Sequence, residues 1–213
     1  MKLHYASDMP EWQNLTPAER NTWQRWAAQT SGIATPGNFF SVLGIVLVGL
    51  GLWAIADHSF GQGLWLLAIG RFCDIVDGTA ADKSGTKSPL GEAVDAGFDK
   101  IAAFATLIVF AAYAIAPWWL LLLIALQNLT TASLSYTAHR LRKAFHPVAA
   151  GKIGSAVLWI GLLCFMLATA LQNHTSTRHA WLFIAYALTL IGLGLCSYAT
   201  MLYAQAFRSK KTA

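Results

Sequence analysis

PGNFFSVLGIVLVGLGLWAIAD, residues 36–57, carries no charge until its last position. Crossing the ~30 Å hydrocarbon layer of a bilayer takes about 20 helical residues, and a backbone in lipid must satisfy its hydrogen bonds internally. The segment is therefore predicted to be a transmembrane helix. It lacks the apolar/polar alternation of a membrane barrel strand. Five further stretches of similar length follow, at about 61–81, 89–116, 117–142, 152–171 and 179–207. The one beginning at Pro89 has a polar first half and turns fully apolar from Ile101 to Ala116. The expected fold class is an all-α integral membrane protein with six transmembrane helices.

Composition points the same way. Of 213 residues, 56 % are hydrophobic and 12 % charged, the latter about half the usual share for a soluble domain. Mean hydropathy is +0.48. A water-soluble globule, a disordered chain and a collagen-like repeat are excluded. So is a disulfide scaffold, because Cys73, Cys164 and Cys196 all lie inside apolar runs where a thiol is a small core hydrophobe. The net charge of +5 does not form one polar face, which argues against nucleic acid and for a membrane surface.

Basic residues alternate between the loops: Lys83 and Lys87, then Arg140, Arg142, Lys143 and Lys152, then Arg208, Lys210 and Lys211, with only Arg178 on the other side. The positive-inside rule then puts both termini and the two basic loops in the cytoplasm of a cell-membrane protein. The organisation expected is a cytoplasmic or interfacial segment over 1–34, a transmembrane catalytic domain over 35–207 and a basic tail over 208–213. The N-terminus, with Asp8 and Glu11 and no apolar core, is not expected to be a signal peptide. Leu15-Thr16-Pro17-Ala18-Glu19 reads as a helix start, with Thr16 as N-cap, Pro17 at the first helical position and Glu19 closing a capping box, and Gly32 as the end. Trp23 and Trp26 beside Arg20 and Arg25 make this helix amphipathic. That suits the membrane interface, and equally a helix packed on the protein itself.

Six of the ten acidic residues (Asp74, Asp77, Asp82, Glu92, Asp95 and Asp99) fall within residues 74–99. A carboxylate near the bilayer centre costs at least ~2.5–3.5 kcal/mol, so acids on apolar helices are usually functional or paired. Asp74 and Asp77 are three apart, Asp95 and Asp99 four apart, and each pair shares one helix face. A short intervening loop makes the two helices antiparallel neighbours, bringing four carboxylates to one depth. Such charges repel unless cations bind them. Oxygen-only donors favour Mg²⁺ or Mn²⁺, and two such ions serve phosphoryl transfer. Gly78 and Gly91 would let a ligand approach the backbone. The plainer alternative is that Arg71, Lys83 and Lys100 neutralise the acids in a salt-bridged helix pair.

The run Asp74-Ile75-Val76-Asp77-Gly78-Thr79-Ala80-Ala81-Asp82, followed after eight residues by Gly91-Glu92-Ala93-Val94-Asp95-Ala96-Gly97-Phe98-Asp99, resembles the D-x-x-D-G-x-x-A-R-x(8)-G-x-x-x-D-x-x-x-D signature of the class I CDP-alcohol phosphatidyltransferases. Seven of its eight fixed positions match. The resemblance implies six helices behind an interfacial N-terminal helix, and transfer of a phosphatidyl group from CDP-diacylglycerol to an alcohol with release of CMP. It makes Asp74, Asp77, Asp95 and Asp99 the metal set. Asp99 would also be the general base that takes the acceptor hydroxyl proton. Gly78 and Ser88 match positions that contact the CDP moiety. Thr35-Pro36-Gly37-Asn38 is similar to the family's T-P-N element with Gly37 inserted, which adds Pro36 and Asn38 to the donor site; Asn38 as a simple helix N-cap is the alternative.

Asp82 stands where the family has arginine, so Lys83 or Lys87 supplies the charge, or the donor differs, or activity is reduced. Arg140, Arg142, Lys143 and Lys152 would bind a phosphate on the acceptor, although the same charges satisfy the positive-inside rule unaided. Asp99-Lys100 and the segment Gly151-Lys152-Ile153-Gly154-Ser155 look like elements of phosphatidylglycerophosphate synthases. Glycerol 3-phosphate is therefore the first acceptor expected and inositol phosphate the second, with a homodimer admitted. A small cation transporter is the reading from another class, but its acids should spread through the membrane depth.

Overall fold

The computed structural model describes residues 13–86, 89–140 and 148–209. Ser88, Lys87, Arg142 and Lys143, named above, lie outside the described residues, as do Lys210 and Lys211. Arg140 closes a described helix, but its side chain is not among the described ones. Among the described residues seven helices run in order: α1 Thr22–Gln29, α2 Pro36–Ala56, α3 Phe60–Ser84, α4 Pro89–Ala112, α5 Trp118–Arg140, α6 Ala149–Ala170 and α7 Thr175–Ser209. The described residues contain no strand.

Among the described residues, three segments are long and apolar enough to cross a membrane: Pro36–Ala56, Ala149–Ala170 and Thr175–Gln205. A shorter apolar stretch, Trp118–Leu134, lies in α5. The charges explain why α3 is not among the three, since Arg71, Asp74, Asp77, Asp82 and Lys83 all fall inside it. Large apolar side chains line the exterior, with Trp118 72 % and Phe183 77 % exposed, as expected where lipid and not water is the solvent.

The chain divides into two compact units, Met1–Thr106 and Leu107–Ala213. In the first, α2 and α3 pack together. Only residues 57–59 join them, with His58 in the left-handed region at φ 58° and the Ser59 amide returning to the Ala54 carbonyl at 2.8 Å. So tight a turn makes the helices antiparallel neighbours. Glycine then lets them touch along their length. A Cβ on Gly44 would stand 3.0 Å from the Gly70 carbonyl oxygen, and one on Gly70 2.9 Å from a Val48 methyl.

The N-terminal helix begins later than the sequence suggests. Thr16 and Glu19 do make their box: the Thr16 amide and hydroxyl donate to Glu19 Oε2 at 2.9 and 2.8 Å. Those two donors, the backbone amide first, hold the Glu19 carboxyl below its usual range. They close only a turn. Helix α1 starts at Thr22 behind a second box, in which Asn21 Oδ1 accepts from the Gln24 amide at 2.8 Å and Gln24 Oε1 accepts from the Asn21 amide at 3.0 Å. Its end is a turn through Ser31 at φ 53° and Gly32 at φ 83°, with the Gly32 amide bonded to the Ala27 carbonyl at 2.7 Å. Two long-range bonds seat α1. Asn21 Nδ2 donates to the Ser84 carbonyl at 3.0 Å, and Gln24 Nε2 to the Gly85 carbonyl at 3.3 Å. Gly85 ends α3 at φ 62°, a conformation that glycine adopts without a Cβ penalty.

In the second unit α6 and α7 pack most closely, and α5 joins α7. A Cβ on Gly154 would lie 2.9 Å from Cys196 Sγ, and one on Gly192 2.7 Å from the Leu158 amide nitrogen. The α5–α7 contact is polar: Gln127 Nε2 donates to Thr200 Oγ1 at 2.8 Å, and the Ser197 hydroxyl donates to Gln127 Oε1 at 3.3 Å. Between membrane helices, small residues permit close approach and such side-chain bonds add about 0.6 kcal/mol each.

Candidate active site

Four aspartates of the first unit build the site from two helices. Asp74 and Asp77 are one turn apart on α3, and Asp95 and Asp99 one turn apart on α4. The structure brings Asp74, Asp77 and Asp95 together, each offering a carboxylate oxygen so that all three atoms lie within 4.8 Å of one another. Asp99 is placed differently. Its Oδ1 takes a 2.9 Å bridge from Arg71 Nη1, while Arg71 Nη2 bridges Asp74 Oδ2, also at 2.9 Å. Lys100 Nζ stands 3.9 Å from Asp99 Oδ2.

Asp77 is the deepest of the group, buried at 4 % exposure. Its carboxylate is fixed by Ser41, whose hydroxyl donates to Oδ2 at 2.7 Å, and by the Gly78 amide on Oδ1. Ser41 was not singled out from the sequence. The available signal was a lone hydroxyl in a helix otherwise apolar from Phe39 to Ala56, a residue that costs free energy in lipid unless it finds a partner. Asp95 supplies the opposite signal, for its Oδ1 is buried and has no hydrogen-bond partner. A buried carboxylate oxygen without a donor is costly. Three converging carboxylates, one with an open lone pair, suit a hard divalent cation with oxygen ligands.

The neighbouring elements leave the backbone accessible on one side. Gly78 is exposed, and a Cβ there would meet nothing within 4 Å. Gly37 shows the opposite constraint: a Cβ would lie 3.0 Å from Ala81 Cβ and 3.2 Å from the Asp77 carbonyl oxygen. The residue inserted into the T-P-N-like element is thus the one that lets the start of α2 sit against the acidic turn of α3. Pro36 occupies the first position of α2, and the N-cap is Thr35, whose Oγ1 accepts from the Asn38 amide at 3.2 Å. Asn38 is therefore not the cap. Its Nδ2 holds the preceding turn, donating to the Gly32 and Ile33 carbonyls at 3.2 and 2.9 Å. Asp82 and Lys83 are both exposed near the end of α3. Lys152, in the first turn of α6 in the second unit, is exposed as well.

The family model for CDP-alcohol phosphatidyltransferase matches residues 34–196, well over half of the chain. No curated protein and no solved structure matches it. The matched span begins at the residue before the Thr35 cap and takes in both acidic helices. A membrane-type helical protein with this acid cluster and this match belongs to the CDP-alcohol phosphatidyltransferases, phosphotransferases that act on CDP-alcohols and alcohol acceptors.

Proposed function

We propose that the protein transfers the phosphatidyl group of CDP-diacylglycerol to a small phosphorylated alcohol, glycerol 3-phosphate first and inositol phosphate second, in phospholipid synthesis. The observation that carries this is the convergence of Asp74, Asp77 and Asp95 within 4.8 Å of one another, beside a buried Asp95 Oδ1 that has no hydrogen-bond partner. Two divalent cations, Mg²⁺ or Mn²⁺, held by Asp74, Asp77, Asp95 and Asp99 would neutralise the pyrophosphate and sharpen the acidity of the acceptor hydroxyl. The chain supplies the rest. Ser41 keeps the Asp77 carboxylate in one orientation. Asp99 accepts the proton of the acceptor hydroxyl as its oxygen bonds to the phosphatidyl phosphorus, and the bond to the bridging oxygen breaks to release CMP. Pro36, Asn38, Gly78, Asp82 and Ser88 form the donor side. Arg140, Arg142, Lys143 and Lys152 meet the acceptor phosphate.

The same reading takes six membrane spans over 35–207, with both termini and the site cytoplasmic, α1 lying in the membrane interface within the segment 1–34, and a homodimer as an assembly. Support comes from Trp23 and Trp26, both more than half exposed on α1. The test is release of labelled CMP from CDP-diacylglycerol by the purified protein with a panel of alcohols. Release that depends on glycerol 3-phosphate is the expected result. Release with none of the phosphorylated alcohols would remove the acceptor assignment.

A further inference from the structure

Arg20 and Arg25 take no part in the acidic site, and the N-terminal segment folds both side chains back along itself. Arg25 Nε donates to the Arg20 carbonyl at 3.0 Å, and Arg20 Nη2 donates to the Gln13 carbonyl at 3.3 Å. The two guanidinium groups line one cavity of about 420 Å³, together with Pro17, Ala18, Ala28 and Gln29. That volume falls within the ~300–1,000 Å³ common for small-ligand sites. There is no acid among the lining residues. Glu19, the acid adjacent to Arg20, is committed to the Thr16 amide and hydroxyl. Arg25 uses only Nε within the chain, and its two terminal nitrogens take no partner among the described residues. Two like charges at one cavity call for an anion with several acceptor oxygens.

The sides of α1 show where such an anion comes from. Ala27 is buried and Gln24 bonds to the end of α3, so one side is docked on the protein. Trp23 and Trp26, three apart, stand 55 % and 57 % exposed on a second side. Arg25, Ala28 and Gln29, at spacings of three and four, share a third side, where they line the cavity. Tryptophan settles at the level of lipid head groups, and arginine beside it meets their phosphates with paired hydrogen bonds. We propose that the cavity of Arg20, Arg25 and Gln29 binds the phosphate head group of an anionic membrane lipid, at a site separate from the acidic cluster. Such a site draws on the placement of α1 in the membrane interface proposed above and on none of the catalytic assignments.

The experiment is binding of labelled phosphatidate to the full chain in uncharged detergent, with excess EDTA to keep divalent cations off the aspartates. Wild type is expected to bind phosphatidate saturably, with phosphatidylcholine a poor competitor. Arg25→Gln is expected to bind about three- to tenfold more weakly, the effect of one basic residue on an anionic lipid. Gln29→Glu leaves both arginines in place and adds a negative charge to the cavity wall, and it is expected to weaken binding about as much. It decides the matter should Arg25→Gln fail to fold. Arg178→Gln, an equal loss of charge at an exposed position of α7, is expected to bind as wild type does. Wild-type affinity in either cavity variant overturns the site, as does an equal loss in Arg178→Gln, which would reveal a general effect of net charge. Inorganic phosphate that displaces the lipid at equal concentration overturns the choice of a lipid. CMP release without phosphatidate binding overturns this site alone; phosphatidate binding without CMP release sustains the site and counts against the proposed reaction.

Discussion

Along α2 and α3, Gly44 and Gly70 bring two helix backbones into contact, and along α6 and α7, Gly154 and Gly192 do the same. The two pairs then diverge in what the close approach holds. Between α2 and α3 it lets Ser41 reach the buried Asp77, so that packing orients a charge. Between α6 and α7 it meets Leu158 and Cys196, and no acidic residue occurs in either helix. Glycine-mediated packing is thus not itself a sign of chemistry. It becomes one where the approach seats an ionised group that lipid would otherwise reject.

If that contrast is right, damage to the first pair should abolish reaction and damage to the second should loosen the fold. The largest expected effect is in Asp77→Asn, with turnover down about 10³-fold or more while the protein still folds; excess chelator should act on wild type in the same way. CMP release checks both, and full turnover in EDTA would sink the metal reading. Asp99→Asn should lose about 10²–10⁴-fold in turnover and keep its binding of CDP-diacylglycerol, since a base matters more to the reacting complex than to the ground state. A near-normal rate removes Asp99 from the mechanism.

Gly192→Ala tests the other side of the comparison. Its new methyl group would crowd the Leu158 backbone, and overpacking of this kind costs about 1–3 kcal/mol. A lower melting temperature with unchanged turnover per folded molecule is the expected result. A selective loss of activity would mean that the second pair also carries chemistry. The smallest effect belongs to Asp82→Arg, which restores the family's residue at an exposed position. Affinity for CDP-diacylglycerol should be unchanged or improved by up to about tenfold. A salt-sensitive loss of affinity would show that this chain has rebuilt its donor side.

The acidic helices were legible because their information is local: spacings of three and four put Asp74 with Asp77 and Asp95 with Asp99 whatever surrounds them. The helical class was legible for the same reason, from uninterrupted apolar runs. What escaped the sequence depended on distant partners. The Thr16–Glu19 box forms as read, yet α1 begins only at Thr22, behind an Asn21 that also bonds to the Ser84 carbonyl. Nothing within a window of a few residues could report that bond. Gly37 reads in the sequence only as an insertion, and the reason for a glycine there is Ala81, packed against it from α3. Arg71 looked like a general counter-ion, and only the geometry shows that it joins one acid of each helix.

The two bonds that seat α1 on the end of α3 span 63 and 61 residues of chain. Synthesis runs from the N-terminus, so Asn21 and Gln24 leave the ribosome well before Ser84 and Gly85 exist. Through that interval the capping box can close on itself but has nowhere to dock. Helices α2 and α3 must both be made before the seat is available. The clasp can therefore close only after the first hairpin of the protein has been made.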